Sequence, residues 1–89
     1  MKSPDSNIIK SLKSLTTKNQ VELVLDNPKL LKYIDNEQVQ LEAVKYNGLA
    51  IEYINNPSEK IQLEAVKRDG YAIRYINSPS EEIQLEAAK

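Results

Sequence analysis

The sequence contains no cysteine, histidine, tryptophan or phenylalanine, and it has only two glycines. Without cysteine the chain forms no disulfide and no thiolate metal site, and without histidine it lacks the commonest general base and metal ligand. We therefore expect no enzyme, no catalytic residue, no metal and no cofactor. No apolar run approaches the length that spans a membrane, and residues 1–7 lack the apolar segment of a secretory signal peptide. The sequence predicts a cytoplasmic protein.

The charges nearly balance but are unevenly placed along the 89 residues. The formal net charge is −1 and the sequence pI is about 5.4, which argues against nucleic acid as the default partner. Residues 1–20 carry four lysines and one aspartate, a balance of +3, whereas residues 21–89 carry a balance of −4. A basic first helix can pair head to tail with the acidic body, within or between molecules. Alternatively, these charges are only solvated surface.

Short stretches of the sequence recur at a fixed spacing. Residues 61–65, Ile-Gln-Leu-Glu-Ala, return 22 residues later at 83–87, and residues 39–45 match 61–67 at the same spacing. A less similar copy around residues 20–24 lies 20 residues before the copy at 39–45. Self-similarity at such a period is the signature of stacked helical repeats. We predict one domain with an N-terminal capping helix over residues 1–16 and about three and a half repeats over 17–35, 36–56, 57–78 and 79–89.

Each repeat has the residues of a longer helix followed by a very short one. Asn56 can cap the longer helix, Pro57 suits its first position, and Glu59 can return a bond to the cap. The two glycines, Gly48 and Gly70, fall where the longer helices end, which predicts a left-handed residue at each place. The six residues after the second glycine have room for one or two turns, in part 3₁₀.

The longer helix is apolar over most of its circumference. At 100° per residue, Ile61, Leu63, Ala65 and Val66 span an arc of roughly 200°, wider than a surface helix needs. One unit cannot cover this surface alone, whereas a stack of copies covers it on both flanks. We therefore predict an all-α fold, an α-solenoid in which each repeat of about 22 residues pairs a longer α-helix with a short α or 3₁₀ helix.

One glutamine of each unit lies within this apolar arc; the four are Gln20, Gln40, Gln62 and Gln84. A buried amide must find partners, so one prediction is a column of glutamines bonded to loop backbone. The alternative is that the arc is open there and the amides are solvated. In both cases the glutamines, like the two glycines, belong to the scaffold and not to a binding site.

The two ends of the chain differ from the middle. Four apolar residues are spaced for one stripe on an N-terminal helix that can shield the first repeat; these are Ile8, Ile9, Leu12 and Leu15. At the other end Ala88 stands where earlier units have valine, so the apolar bulk shrinks. The C-terminal repeat is either a modest cap or an uncovered end through which two copies form a homodimer.

The repeat resembles a known kind of helical unit. Its consensus, P-S-E-x-I-Q-L-E-A-V-K-x-x-G-x-A-I-x-Y-I, resembles the short two-helix repeats found in tandem in uncharacterised bacterial and phage proteins. These are similar in logic to HEAT repeats and to leucine-rich variant repeats. The resemblance covers roughly residues 17–89. It implies a right-handed superhelix that binds other macromolecules, and it implies no catalytic residue.

Tyrosines on the short helices are the best candidates for a binding surface. Tyr33, Tyr53 and Tyr75 occupy one column of the repeat, where the rings either pack between units or form an aromatic ladder that anchors a partner. Neighbouring positions vary between units, so stacking does not dictate them. The candidate protein-binding surface comprises Lys32, Tyr33, Tyr46, Glu52, Tyr53, Arg68, Tyr71, Arg74 and Tyr75.

We expect a protein that binds another protein without catalysis. One version is a small inhibitor or adaptor of a phage or mobile element that acts on a host protein. The first alternative is a structural repeat fragment or self-associating scaffold with no separate partner. The second is a weak nucleic-acid binder that uses the basic N-terminal helix with Lys2, Lys10, Lys13 and Lys18, and its affinity would fall steeply with salt.

Overall fold

The computed structural model describes residues 6–89 of the chain, and their side chains from residue 9 onward. These residues form five α-helices and three 3₁₀ helices, which confirms the prediction of an all-α fold. The α-helices are α1 (Ser6–Ser14), α2 (Thr17–Asp26), α3 (Glu37–Tyr46), α4 (Glu59–Arg68) and α5 (Glu81–Ala87). The 3₁₀ helices are η1 (Pro28–Tyr33), η2 (Gly48–Tyr53) and η3 (Gly70–Tyr75), which follow α2, α3 and α4 respectively.

Helices of the same kind pack on each other in chain order. From α2 to α5 each α-helix contacts the next, and so do the three 3₁₀ helices. In addition, η2 packs on both α3 and α4, and η3 packs on both α4 and α5. Each 3₁₀ helix therefore touches its own α-helix, and η2 and η3 also touch the α-helix that follows.

The core is one continuous cluster of aliphatic side chains from α2 to α5. Fully burying a valine, leucine or isoleucine is worth roughly 1.5–3 kcal/mol relative to leaving it exposed, so these positions fix the packing of neighbouring units. The largest side chains that are fully buried are Leu31, Ile51, Ile61, Ile83, Val24, Val39 and Val44.

The N-terminal helix α1 turns its apolar stripe inward. Leu12 is buried, and Ile9 and Leu15 are half-buried. The Gln20 side chain ties α2 to this helix, because its Nε2 donates to the backbone oxygen of Leu12 at 2.6 Å. Lys2 and the side chain of Ile8 lie outside the described residues.

The predicted start of α4 is wrong by two residues. Ser58, not Asn56, is the N-cap, and its Oγ accepts a hydrogen bond from the backbone N–H of Ile61 at 3.3 Å. Pro57 lies outside the helix. Asn56 instead has a φ of 50°, a left-handed conformation that asparagine tolerates better than most residues. Ser80 caps α5 in the same way as Ser58 caps α4.

The prediction for the two glycines is also wrong. Neither Gly48 nor Gly70 has a positive φ, and each begins a 3₁₀ helix instead of ending an α-helix. Glycine is needed there because the chain passes very close to the next α-helix. A Cβ on Gly70 would lie 2.6 Å from the backbone oxygen of Ala87, and a Cβ on Gly48 would collide with the backbone oxygen of Ala65.

The cap side chains also join neighbouring α-helices. The caps of α3, α4 and α5 each accept a backbone N–H of their own helix and donate to the first residue of the preceding helix. The Glu59 carboxylate therefore serves the next helix, and not its own cap as the sequence pattern predicts. The bonds between helices are Ser58 Oγ to Glu37 Oε2 at 2.6 Å, Ser80 Oγ to Glu59 Oε2 at 2.8 Å, and Asn36 Nδ2 to Thr17 Oγ1 at 3.1 Å.

Replacing Ser58 with alanine is expected to lower the free energy of unfolding by about 1–2 kcal/mol. The change removes the acceptor for the backbone N–H of Ile61 and the donor to Glu37 together. Urea denaturation followed by far-UV circular dichroism measures the loss. Ser58→Thr is the matched control, since threonine keeps both bonds and should stay close to the wild type. Equal stability of the alanine variant and the wild type would contradict the assignment of Ser58 as the cap.

Candidate interaction surface

Seven of the nine candidate residues lie on the 3₁₀ helices, and the other two, Tyr46 and Arg68, end α3 and α4. Their exposure divides them. Tyr33 and Tyr53 are half-buried, whereas the remaining seven are exposed. The largest exposed rings are Tyr46 at 66%, Tyr71 at 61% and Tyr75 at 38%.

Three candidates on η3 form one contact group, which we call the η3 cluster: Tyr71, Arg74 and Tyr75. The guanidinium carbon of Arg74 lies 4.5 Å from the centroid of the Tyr71 ring and 5.9 Å from that of Tyr75. Arg74 Nη1 also donates a hydrogen bond to the Tyr71 hydroxyl. Residues three apart eclipse each other in a 3₁₀ helix, so the backbone itself places the guanidinium over the Tyr71 ring.

The stacking holds the η3 cluster ready for contact. A cation over a tyrosine face at an exposed site is worth about 0.5–1 kcal/mol. The Asp69 side chain fixes the start of the helix, because its Oδ1 accepts a hydrogen bond from the backbone N–H of Tyr71 at 3.0 Å. An arginine that is already positioned loses less rotamer freedom when a partner binds.

The tyrosine column does not form a continuous exposed ladder. Tyr53 packs against the hydrophobic core, and η2 lies between η1 and η3. Tyr75 stands at the same position of the last 3₁₀ helix and is exposed. The exposure of these rings therefore follows their place in the chain order of units and not the residue type.

Tyr46 and Arg68 form a separate pair. Arg68 Nε donates to the backbone oxygen of Tyr46 at 3.4 Å, so the arginine joins the ends of α3 and α4. Lys32 and Glu52 are exposed at the position that Arg74 holds on η3. The backbone oxygen of Lys32 accepts a hydrogen bond from Asn55 Nδ2 at 3.2 Å, which joins η1 to the loop after η2.

All four glutamine amides donate to backbone oxygens of the segment before their own helix. Exposure rises along the series, from 5% at Gln20 to an exposed Gln84. The Gln20 amide holds α1, and the other three hold the chain just before their helices, whether or not water also reaches them. The later three bonds are Gln40 Nε2 to Ile34 O, Gln62 Nε2 to Pro57 O, and Gln84 Nε2 to Pro79 O, each at 3.0 Å.

Sequence reasoning missed two features of the surface. Leu23 and Leu85 are large apolar side chains on α2 and α5 with 39% and 62% of their surface exposed. Their position in the sequence could have indicated this exposure, since both residues belong to the outermost copies of the repeat. The role of this repeated glutamate as acceptor for the next cap was also missed, although Glu37, Glu59 and Glu81 stand 22 residues apart.

The described part of the chain holds no group of three or more acidic or histidine side chains placed to bind a metal ion. Among residues 6–89 no helix has the length and hydropathy needed to cross a bilayer.

Comparison with known proteins gives one family. Residues 36–84 match the family described as "Domain of unknown function (DUF4116)". Searches of curated proteins and of solved structures find no match. The matched span runs from the cap of α3 into α5, which is more than half of the chain. The chain is therefore a member of the DUF4116 family.

Proposed function

We propose that this chain is a non-catalytic protein-binding module whose contact surface centres on the η3 cluster. The observation that carries this proposal is the exposure of Tyr71 and Tyr75 with Arg74 stacked between them. Tyrosine and arginine are enriched at the energetic centres of protein interfaces because they offer large area and several hydrogen bonds. Three such side chains in contact make a compact anchor.

The architecture that we propose for this module is a right-handed α-solenoid. Packing of α2 to α5 and of η1 to η3 in strict chain order supports it, as does an elongated shape of 41 × 29 × 18 Å. The handedness follows from the resemblance to tandem two-helix repeats. Such an arrangement presents a long surface that suits the binding of another macromolecule.

The chemistry of the η3 cluster selects a class of partner. The Arg74 guanidinium donates in a planar fork that matches a carboxylate, and the two tyrosine rings offer apolar faces beside it. A protein segment with an aspartate or glutamate next to an apolar side chain fits both features. The proposed partner is therefore a protein that presents an acidic residue on an otherwise apolar patch.

Affinity capture with the tagged chain from bacterial lysate tests this proposal, with nuclease treatment and identification by mass spectrometry. A partner should survive nuclease and should be lost with Tyr71→Ala and with Arg74→Ala. Arg74→Lys should weaken capture as well, because lysine keeps the charge but not the planar fork.

Two control variants make the test specific to the cluster. Lys67→Ala removes an exposed cation from α4, and Tyr46→Ala removes a ring of similar exposure from the end of α3; both should retain the partner. Loss of the partner with Tyr46→Ala alone would indicate that the contact surface lies at the end of α3. The proposal would be overturned by that result, by equal capture with all variants, or by the absence of any nuclease-resistant partner.

A further inference from the structure

The helices α3 and α4 are each covered by the α-helix that follows them, whereas α5 has no such helix after it in the described chain. Leu41, Leu63 and Leu85 occupy the same position of three successive units. Leu41 is 7% exposed and Leu63 is half-buried, whereas Leu85 is 62% exposed. Because α4 packs on α3 and α5 packs on α4, the exposed leucine is the one that has no described helix after its own. Among residues 6–89 no further helix packs on α5.

The series of hydrogen bonds between successive α-helices also ends at α5. Glu37 accepts the hydroxyl of Ser58, and Glu59 accepts the hydroxyl of Ser80. Glu81 holds the equivalent first position of α5, and no described helix follows that would offer it a cap hydroxyl. The α5 end therefore presents an apolar side chain and a carboxylate that match the packing surface of α3 and of α4.

At the opposite end of the described chain, α2 carries groups that are complementary to those on α5. Thr16 caps α2 with φ −66° and ψ 159°, close to −67° and 164° at Ser58, and its Oγ1 accepts the backbone N–H of Asn19 at 3.1 Å. Its Oγ1 therefore caps α2 as the Oγ of Ser58 caps α4, and Ser58 also donates to the preceding α-helix. Among residues 6–89 no glutamate is placed there to receive it.

An apolar side chain accompanies this cap. Leu23 is 39% exposed, whereas Ala43 and Ala65 at the same position of α3 and α4 are 3% and 0% exposed. Ala43 lies around one small cavity with Val24 and Pro28 of the preceding unit, so this position of the helix faces the unit before it. Leu23 thus marks the face of α2 that corresponds to a buried contact elsewhere in the chain.

The charges favour contact between the two ends. Residues 1–20 carry a balance of +3 and residues 21–89 carry −4. Lys10, Lys13 and Lys18 lie on α1 and α2, and Glu81 and Glu82 lie in the first turn of α5. Such opposite surface charges attract most strongly at low ionic strength.

We propose that copies of this chain associate head to tail, with α2 of one copy packed on α5 of another as α5 packs on α4 within the chain. Thr16 Oγ1 then donates to the Glu81 carboxylate of the second copy, and Leu23 and Leu85 become buried together. The contact is heterologous, because the two faces differ, and a contact of this type extends into open chains unless rotation closes a ring. This assembly differs from a symmetric homodimer through the C-terminal repeat.

Analytical ultracentrifugation of the 89-residue chain at rising concentration tests this assembly. The mean mass of the wild type should rise with concentration and should fall again when salt is added. Leu85→Glu blocks one face and Leu23→Glu blocks the other, so each variant alone should remain monomeric. Leu25→Glu is the matched control: it puts the same charge on α2 at a residue of similar exposure, where α3 and α4 carry lysine, and should assemble like the wild type.

An equimolar mixture of the two blocked variants decides the geometry. Leu23→Glu keeps the α5 face and Leu85→Glu keeps the α2 face, so the mixture should form a dimer with twice the monomer mass and nothing larger. Far-UV circular dichroism confirms that each variant is folded, and Leu85→Ser provides a milder change at the same position. The proposal is overturned if the wild type is monomeric at every concentration or if the mixture stays monomeric. Dimerisation of Leu23→Glu alone would also overturn it, and would indicate a symmetric contact through α5.

Discussion

Replacing Gly48 with alanine is expected to lower the free energy of unfolding by about 2–3 kcal/mol, although it adds only one methyl group. The new Cβ would collide with the backbone oxygen of Ala65 and would lie 3.2 Å from both the Cβ and the backbone nitrogen of Asp69. These atoms belong to the last turn and the C-cap of α4, which is packed between α3 and α5. Because both flanks of α4 are packed, the helix cannot shift without disturbing a neighbour, so the collision must distort η2 or the core.

The matching change at Gly70 should cost roughly half as much, at the lower end of the range for overpacking. The Cβ would lie 2.6 Å from the backbone oxygen of Ala87, but the next nearest atoms are 3.5 Å and 3.7 Å away. Since α5 is covered on one side only in the described chain, it can shift outward. Urea denaturation of both variants measures the difference. Similar losses at the two glycines would contradict this account, because with negative φ a purely local backbone effect would favour alanine at both positions.

The two glycines also show where prediction from the sequence reached its limit. Glycine follows a helix either because its backbone is left-handed or because another segment passes too close for a Cβ. Both explanations give the same repeat pattern, with Gly48 and Gly70 directly after their helices. Only the distance to the next unit separates the two explanations, and that distance depends on packing between residues 17 to 21 positions apart. The alternation of α and short helices was predictable because it depends on local caps and periodicity.

The η3 cluster illustrates the same limit for the candidate surface. Tyr33, Tyr53 and Tyr75 are equivalent in the sequence, and one prediction for all three followed from the shared column. The structure half-buries the first two and exposes the third. A residue pattern repeated in every unit carries no information about which unit has a neighbour on its far side. By contrast, the contact between Arg74 and Tyr71 depends only on a spacing of three residues, and the repeat already placed both on a short helix.

The second large effect on stability is expected at Leu41, Leu63 and Leu85, which share one position of the repeat. The same substitution can be compared there in three environments. Leu41→Ala is expected to lower the free energy of unfolding by about 3 kcal/mol, since the side chain is 7% exposed and leaves a cavity between α3 and its neighbours. Leu63→Ala should cost less, about 1–2 kcal/mol, because this side chain is already partly in contact with water. Leu85→Ala should stay within about 0.5 kcal/mol at low protein concentration.

Protein concentration separates the stability of one chain from its assembly. Denaturation at low concentration, where copies are apart, should give the order Leu41, then Leu63, then Leu85. Equal losses at all three positions would mean that the α5 face is covered within the chain, contrary to the structure. At high concentration a copy packed on α5 would be released on unfolding, so association stabilises the wild type by mass action. Leu85→Ala should then become destabilising relative to the wild type, while the losses at Leu41 and Leu63 change little, because these leucines are covered within the chain.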